Sequence, residues 1–133
     1  MRRKSEKGQA MVEFALVLPV LLLIIAGIID FGLIFNQKVL ANNASREAAR
    51  YVAVNYNAIL KTLEEEELQE NVETKALGYL PIYIVNKTPE VEAVIGGGEV
   101  KVTVNWNTSA FMPVYSKLFD VVEIKSTTFF RIE

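Results

Sequence analysis

Between Glu13 and Asp30 stand sixteen residues, Phe14 to Ile29, without a charge, and beyond Asp30 the apolar run resumes through Phe31, Gly32, Leu33, Ile34 and Phe35. The 22 residues from Phe14 to Phe35 make a helix of about 33 Å, which matches a hydrocarbon core of about 30 Å with some tilt. A bilayer span is therefore the first expectation, and the rest of the chain must hang from it. Arg2, Arg3, Lys4 and Lys7 precede the run against Glu6 alone, and only Lys38 follows it closely. The positive-inside rule then puts the N-terminus in the cytoplasm and the C-terminal part on the other side of the membrane. A cleaved secretory signal is a poorer fit, because its apolar region runs only about 7 to 15 residues.

Two acidic residues interrupt this picture. Glu13 sits at the near edge of the run, inside Gly8, Gln9, Ala10, Met11, Val12, Glu13, Phe14. A carboxylate in a bilayer helix costs on the order of 2.5 to 3.5 kcal/mol at the centre and less toward the interface, so it calls for a partner. If the chain is cut after Gly8, the new amino group of Gln9 lies four residues before Glu13 on the same helix face. Such a pair within or between chains would act as an assembly register; the other reading is that Glu13 snorkels to the headgroups. Asp30, about 7.5 Å of helix rise inside Phe35, is expected to reach headgroup water, the alternative being a basic group of a partner. Pro19 removes one helical hydrogen bond, to the Ala15 carbonyl, and Gly27 and Gly32 leave room for close helix approach.

After Asn36 nothing stops the helix. Leu40, Ala41, Ala44, Ala48, Tyr51 and Val52 form one stripe, with Asn42, Asn43, Arg46 and Arg50 on the other side, so a single helix is expected from Gln9 to Val54, about 69 Å long. The small Ala side chains on the apolar stripe call for something flat against them, such as a sheet. Arg46 and Arg50 read as a solvated face or, more pointedly, as contacts to another subunit. Ile59 to Leu77 is a second helical segment whose apolar stripe slips by about 160° at Glu64 to Glu67, so a bend or two short helices is expected, with the four Glu solvated. From Pro89 the period becomes two: Val91, Ala93 and Ile95, a Gly96 to Gly98 turn, then Val100, Val102, Val104 and Trp106, which should be buried together. Val122, Ile124, Ser126, Thr128, Phe130 and Ile132 keep one side of a third strand. The apolar connection AFMPVYSKLF before it is expected to cover the sheet edge, or to form an exposed contact patch.

Composition narrows the function classes. Of 133 residues, 16 are acidic and 14 basic, and the basic cluster flanks the membrane rather than lining a folded surface, so nucleic acid is not an expected partner. The chain has neither Cys nor His, so the commonest nucleophiles, bases and transition-metal ligands are missing. Consecutive helical Glu residues do not converge as a calcium loop does. No catalytic residue, cofactor, metal or small-molecule substrate is expected, and an enzyme is the least favoured class.

The basic leader, Gly8, and Glu13 with Phe14 entering a long apolar helix resemble the processing site of type IV pilin-like proteins. GQAMVEFALVLPVLLLIIAGIIDFG followed by ANNASREAARYVAV is similar, from Gly8 to about Val54, to the TadE family of pseudopilin-like proteins of the tight adherence (Tad, Flp) pilus systems. Ala48 stands where that family often has Gly, and Leu33 where a basic residue often follows Asp-Phe-Gly. The resemblance implies cleavage by a prepilin peptidase between Gly8 and Gln9, with Glu13 and Phe14 completing the processing site. It also implies other Tad pilins or pseudopilins and the pilus assembly platform as partners, with Glu13, Asp30, Arg46 and Arg50 as candidate assembly contacts. The expected fold class is α+β and pilin-like: a basic cytoplasmic leader over 1–8, a transmembrane helix over 9–36, and an extracytoplasmic domain over 37–133. In that domain a shorter helix and an antiparallel sheet of at least three strands pack on the long helix. The expected function is that of a minor pilin or pseudopilin in the bacterial cytoplasmic membrane, and possible incorporation in a surface pilus stays open. The alternative is an unprocessed single-pass anchor presenting an extracytoplasmic binding domain.

Overall fold

A computed structural model describes residues 3–57, 60–117 and 121–132. Arg2, Ile59 and the last two residues of the apolar connection, Leu118 and Phe119, all named above, lie outside the described residues. One helix, α1 (Arg3–Asn55), runs through Pro19 and across the expected span boundary at residues 36 and 37, about 80 Å in all. A single 3-10 turn (Leu60–Thr62) and helix α2 (Glu65–Gly78) follow, then a one-turn helix α3 (Ile82–Val85). Strands β1 (Glu90–Gly96) and β2 (Glu99–Thr108), the one-turn helix α4 (Pro113–Ser116) and strand β3 (Val122–Arg131) complete the chain. The three strands form one antiparallel sheet in the order β1-β2-β3. The architecture is thus the expected α+β: a long helix, a shorter helix and a three-stranded antiparallel sheet.

The slip of the apolar stripe at Glu64 to Glu67 is a break between two helical pieces. Helix α2 restarts with Glu64 at its N-cap and Glu65, Glu66 and Glu67 in its first turn, where the positive end of the helix dipole favours carboxylates. All four Glu are exposed. The buried stripe of α2 is Leu68, Val72 and Ala76, and it continues into Leu80, whereas Tyr79, just past the helix end at Gly78, is exposed. Gly97 and Gly98 occupy the two central positions of the β1–β2 turn with φ of 62° and 79°. Both lie in the left-handed region that a tight two-residue hairpin requires and that side chains disfavour.

The core lies between the distal half of α1 and one sheet face. Ala41, Ala44, Ala48, Ala49, Val52 and Ala53 are buried on α1, opposite Val100, Val102, Val104, Trp106 and Ile124. The flat partner called for by the Ala stripe is therefore the sheet itself, which α1 meets through β2 and β3, while α2 packs on α1 and on β1. Trp106 is only 3% exposed, as its strand register requires, and its indole N–H donates to Gln37 Oε1 at 3.1 Å. Where α1 crosses β3 the contact turns polar. Ser45 Oγ lies 2.9 Å from Ser126 Oγ and 2.8 Å from Thr128 Oγ1, and Ser126 donates to Asn42 Oδ1 at 2.7 Å. Each hydroxyl holds one proton, so donation runs from Thr128 to Ser45 to Ser126 to Asn42, with the Asn42 carbonyl as a competing acceptor for Ser45. Asn42 is accordingly half-buried, not on the solvated side to which periodicity assigned it. The free edge of β1 is covered in part by a side chain: Ala93 N–H donates to Gln69 Oε1 at 3.1 Å, and Gln69 Nε2 donates back to the Ala93 carbonyl at 3.3 Å.

Candidate functional site

The candidate site is α1 together with what docks on it. The helix is long and apolar enough to cross a membrane, and its most apolar stretch is wholly unburied by the rest of the chain. Such a helix suggests a single-pass membrane anchor. Met11, Val12, Phe14, Leu16 and Val17 all stand exposed, an arrangement unfavourable in water and favourable in lipid.

At the leader end, Gly8, Gln9, Glu13 and Phe14 lie exposed on one uninterrupted helix. Gln9 Nε2 donates to Glu13 Oε1 at 3.2 Å, so the i, i+4 geometry brings residue 9 onto the face of the Glu13 carboxylate. Gly8 sits in this helix with nothing within 4 Å of where a Cβ would stand. A glycine there costs helix stability of about 1 kcal/mol relative to Ala, and no contact with the described residues requires it.

At the far end of the apolar run, Asp30 does not reach water as expected: its side chain is 4% exposed. Phe111 N–H donates to Asp30 Oδ1 at 3.0 Å, and Met112 N–H lies 3.1 Å from Oδ2 and 3.3 Å from Oδ1. The carboxylate thus takes up backbone donors just before α4, whose first residue is Pro113. Tyr115, on α4, reaches further down: its hydroxyl donates to the Leu23 carbonyl at 2.6 Å. A Cβ on Gly27 would come within 2.8 Å of that hydroxyl, so the close approach that Gly27 allows is made by the chain's own tyrosine. At Gly32 no described atom beyond the helix's own backbone lies within 4 Å of where a Cβ would stand.

These contacts correct the reading of AFMPVYSKLF. Its described part, Ala110 to Lys117, crosses to α1 and docks on the apolar run at Leu23 to Asp30 rather than on a sheet edge. Arg46 and Arg50 are exposed on α1, away from the face that carries the Ala stripe. They are not brought near Glu13, which stands more than 30 residues, or about 50 Å, along the same helix. The candidate residues therefore stand in three separate places along α1: Gly8 to Phe14 at the leader end, Asp30 with Tyr115 docked on it in the middle, and Arg46 and Arg50 on the exposed side of the distal half. Sequence reasoning missed Tyr115, Gln37 and Ser45, whose partners lie far along the chain. The local signal for Tyr115 was a helix-tolerated glycine at Gly27 and an unexplained carboxylate at Asp30 in the same apolar run.

Compared with known families, residues 8–50 match the model described as TadE-like protein. The match begins at Gly8 and covers the span and the first turns of the Ala stripe, about a third of the chain, within the stretch where the resemblance was read. Neither the comparison with curated proteins nor that with solved structures gave a match.

Proposed function

We propose that this chain, TadE-like over residues 8–50, is a membrane-inserted minor pilin or pseudopilin that takes part in assembling a Tad-type pilus. The family suggests a pilus-associated protein, and the long apolar helix, exposed over most of its apolar run, suggests the anchor. On this reading residues 1–8 are a basic cytoplasmic leader, 9–36 the span and 37–133 an extracytoplasmic domain. A prepilin peptidase cuts after Gly8, and the partners are membrane lipid, other Tad pilins or pseudopilins, and the assembly platform. The role is structural rather than enzymatic.

The observation that carries the processing step is Gly8 itself. A helical glycine with no described atom near the place of its missing Cβ is explained if a second molecule must fit against it, and it stands one residue before the expected new terminus at Gln9 and five before Glu13. The test is intact mass of the protein from cells with and without the cognate peptidase. The expected mature chain begins at Gln9 only when the peptidase is present. Gly8→Val, for which there is open space, should leave the fold intact and abolish the cut. A chain that keeps its leader in the presence of the peptidase would instead make it a plain single-pass anchor.

A further inference from the structure

The apolar run of α1 is not bare along its whole length. Asp30 binds the backbone of Phe111 and Met112, Tyr115 binds the Leu23 carbonyl, and apolar grooves open on both sides of the docked segment. One, of about 340 Å³, lies between Phe31, Ile34 and Val122; the other, of about 470 Å³, lies between Pro19, Leu22 and Met112. On the leader side of this contact, Gly8 to Leu22 supplies 15 residues, about 22 Å of helix, and Phe14 to Leu22 only 9, about 13 Å. Neither length spans a hydrocarbon core of about 30 Å, and tilt shortens both. A core that begins at Gly8 ends near Ile28, and one that begins at Phe14 ends near Ile34. In either placement the Leu23 carbonyl and the Tyr115 hydroxyl lie roughly 7 to 16 Å inside it.

We propose that Ala110 to Lys117 is a membrane-embedded strap, lying among the acyl chains of the leaflet on the domain's side, with Asp30 as the acceptor that lets its backbone enter. The proposal rests on reading α1 as a bilayer span. Backbone that is not part of a spanning helix survives at membrane depth only where its polar groups are satisfied by protein. Here Phe111 and Met112 N–H donate to Asp30, Tyr115 and Ser116 N–H donate to the Met112 carbonyl, and Pro113 has no N–H to satisfy. The outward surface has the chemistry of lipid contact. Phe111 is 75% exposed, Met112 borders an apolar groove, and Lys117 has a stem long enough to carry its ammonium toward the headgroups. Asp30, a carboxylate in the apolar run held by backbone donors, is thereby given a purpose that a simple anchor would not need.

The chain has no cysteine, so single cysteines can be labelled uniquely. Nitroxide is placed at Phe111→Cys on the strap, at Val17→Cys in the span, and at Glu92→Cys on the exposed side of β1 as the water reference. Each full-length variant is reconstituted in phosphatidylglycerol and phosphatidylcholine vesicles, and collision with oxygen is compared with collision with a water-soluble nickel chelate. Phe111 is exposed, so shielding of its label from nickel reports lipid and not protein. The expected ratio of oxygen to nickel accessibility at position 111 resembles that at 17 and exceeds that at 92 several-fold. If position 17 is lipid-embedded while 111 matches 92, the strap lies in water and the inference falls while the anchor stands. If position 17 itself is open to nickel, the span reading fails and takes the strap with it.

Discussion

Asp30 is a carboxylate whose two oxygens face two backbone donors and little else, and removing it should be felt first at those donors. Asp30→Ala leaves the N–H groups of Phe111 and Met112 without acceptors, and a buried unsatisfied donor costs about 1 to 3 kcal/mol. Either the strap lifts or the groups remain unsatisfied; in both cases the local opening free energy falls. Amide exchange at Phe111 and Met112 should accelerate about 10- to 100-fold, with little change at Val102 or Val104 in the middle of β2. Exchange that speeds up equally across the sheet would mean that Asp30 supports the whole domain and not the strap. Asp30→Asn should fall between the two, because its single carbonyl oxygen can still accept from one of the donors.

At the scale of elements, the contact between α1 and α4 is small enough to take apart. Tyr115→Phe removes a hydrogen bond of about 0.5 to 1.5 kcal/mol, and Gly27→Ala gains up to about 1 kcal/mol of helix propensity while driving a methyl group into the tyrosine hydroxyl. The two changes should not add. In the wild-type background Gly27→Ala should loosen the strap; with Phe at 115 only a contact at 3.2 Å remains, and the same change should be neutral or stabilising. Amide exchange of the strap in the four proteins of the cycle measures the coupling, and a value near zero would show that the hydroxyl does not sit on Leu23. Other element contacts were readable in advance. The Ala stripe announced a flat partner, the slip at Glu64 announced the break before α2, and the alternation through Trp106 announced the buried sheet face. Periodicity names the face that is buried but not the group that buries it. It therefore could not show that Asp30 meets residues 81 and 82 positions away, or that Ser126, on the strand side read from periodicity, pairs with Ser45 across from it.

Across the whole molecule, α1 links two ends with different work: the domain packs on its distal half, and at the leader end Glu13 is bound, among the described residues, by the Gln9 side chain. Glu13 was legible as an oddity because a charge beside a lipid-like run is costly, whereas its use depends on molecules beyond a single chain. Under the proposed processing, cleavage after Gly8 converts the amide nitrogen of Gln9 into an ammonium on the face of Glu13. That ammonium sits at the positive end of the helix dipole, which disfavours it, so the carboxylate four residues on offsets both the charge and the dipole. Before cleavage there is no ammonium and Glu13 has only an amide to bind. Glu13→Gln should therefore leave insertion intact or ease it, since a carboxylate near the hydrocarbon is costly to transfer. The same change leaves the new terminus without its counter-charge, a penalty of several kcal/mol where the contact between subunits excludes water and little where it does not. Insertion and assembly should then separate. The measurement is crosslinking of processed subunits to one another and to other pilus components in membranes, with wild type and Glu13→Gln at equal levels. A yield reduced tenfold or more at unchanged insertion supports the pairing, whereas equal yields with normal surface pili would leave Glu13 as a carboxylate that only reaches the headgroups.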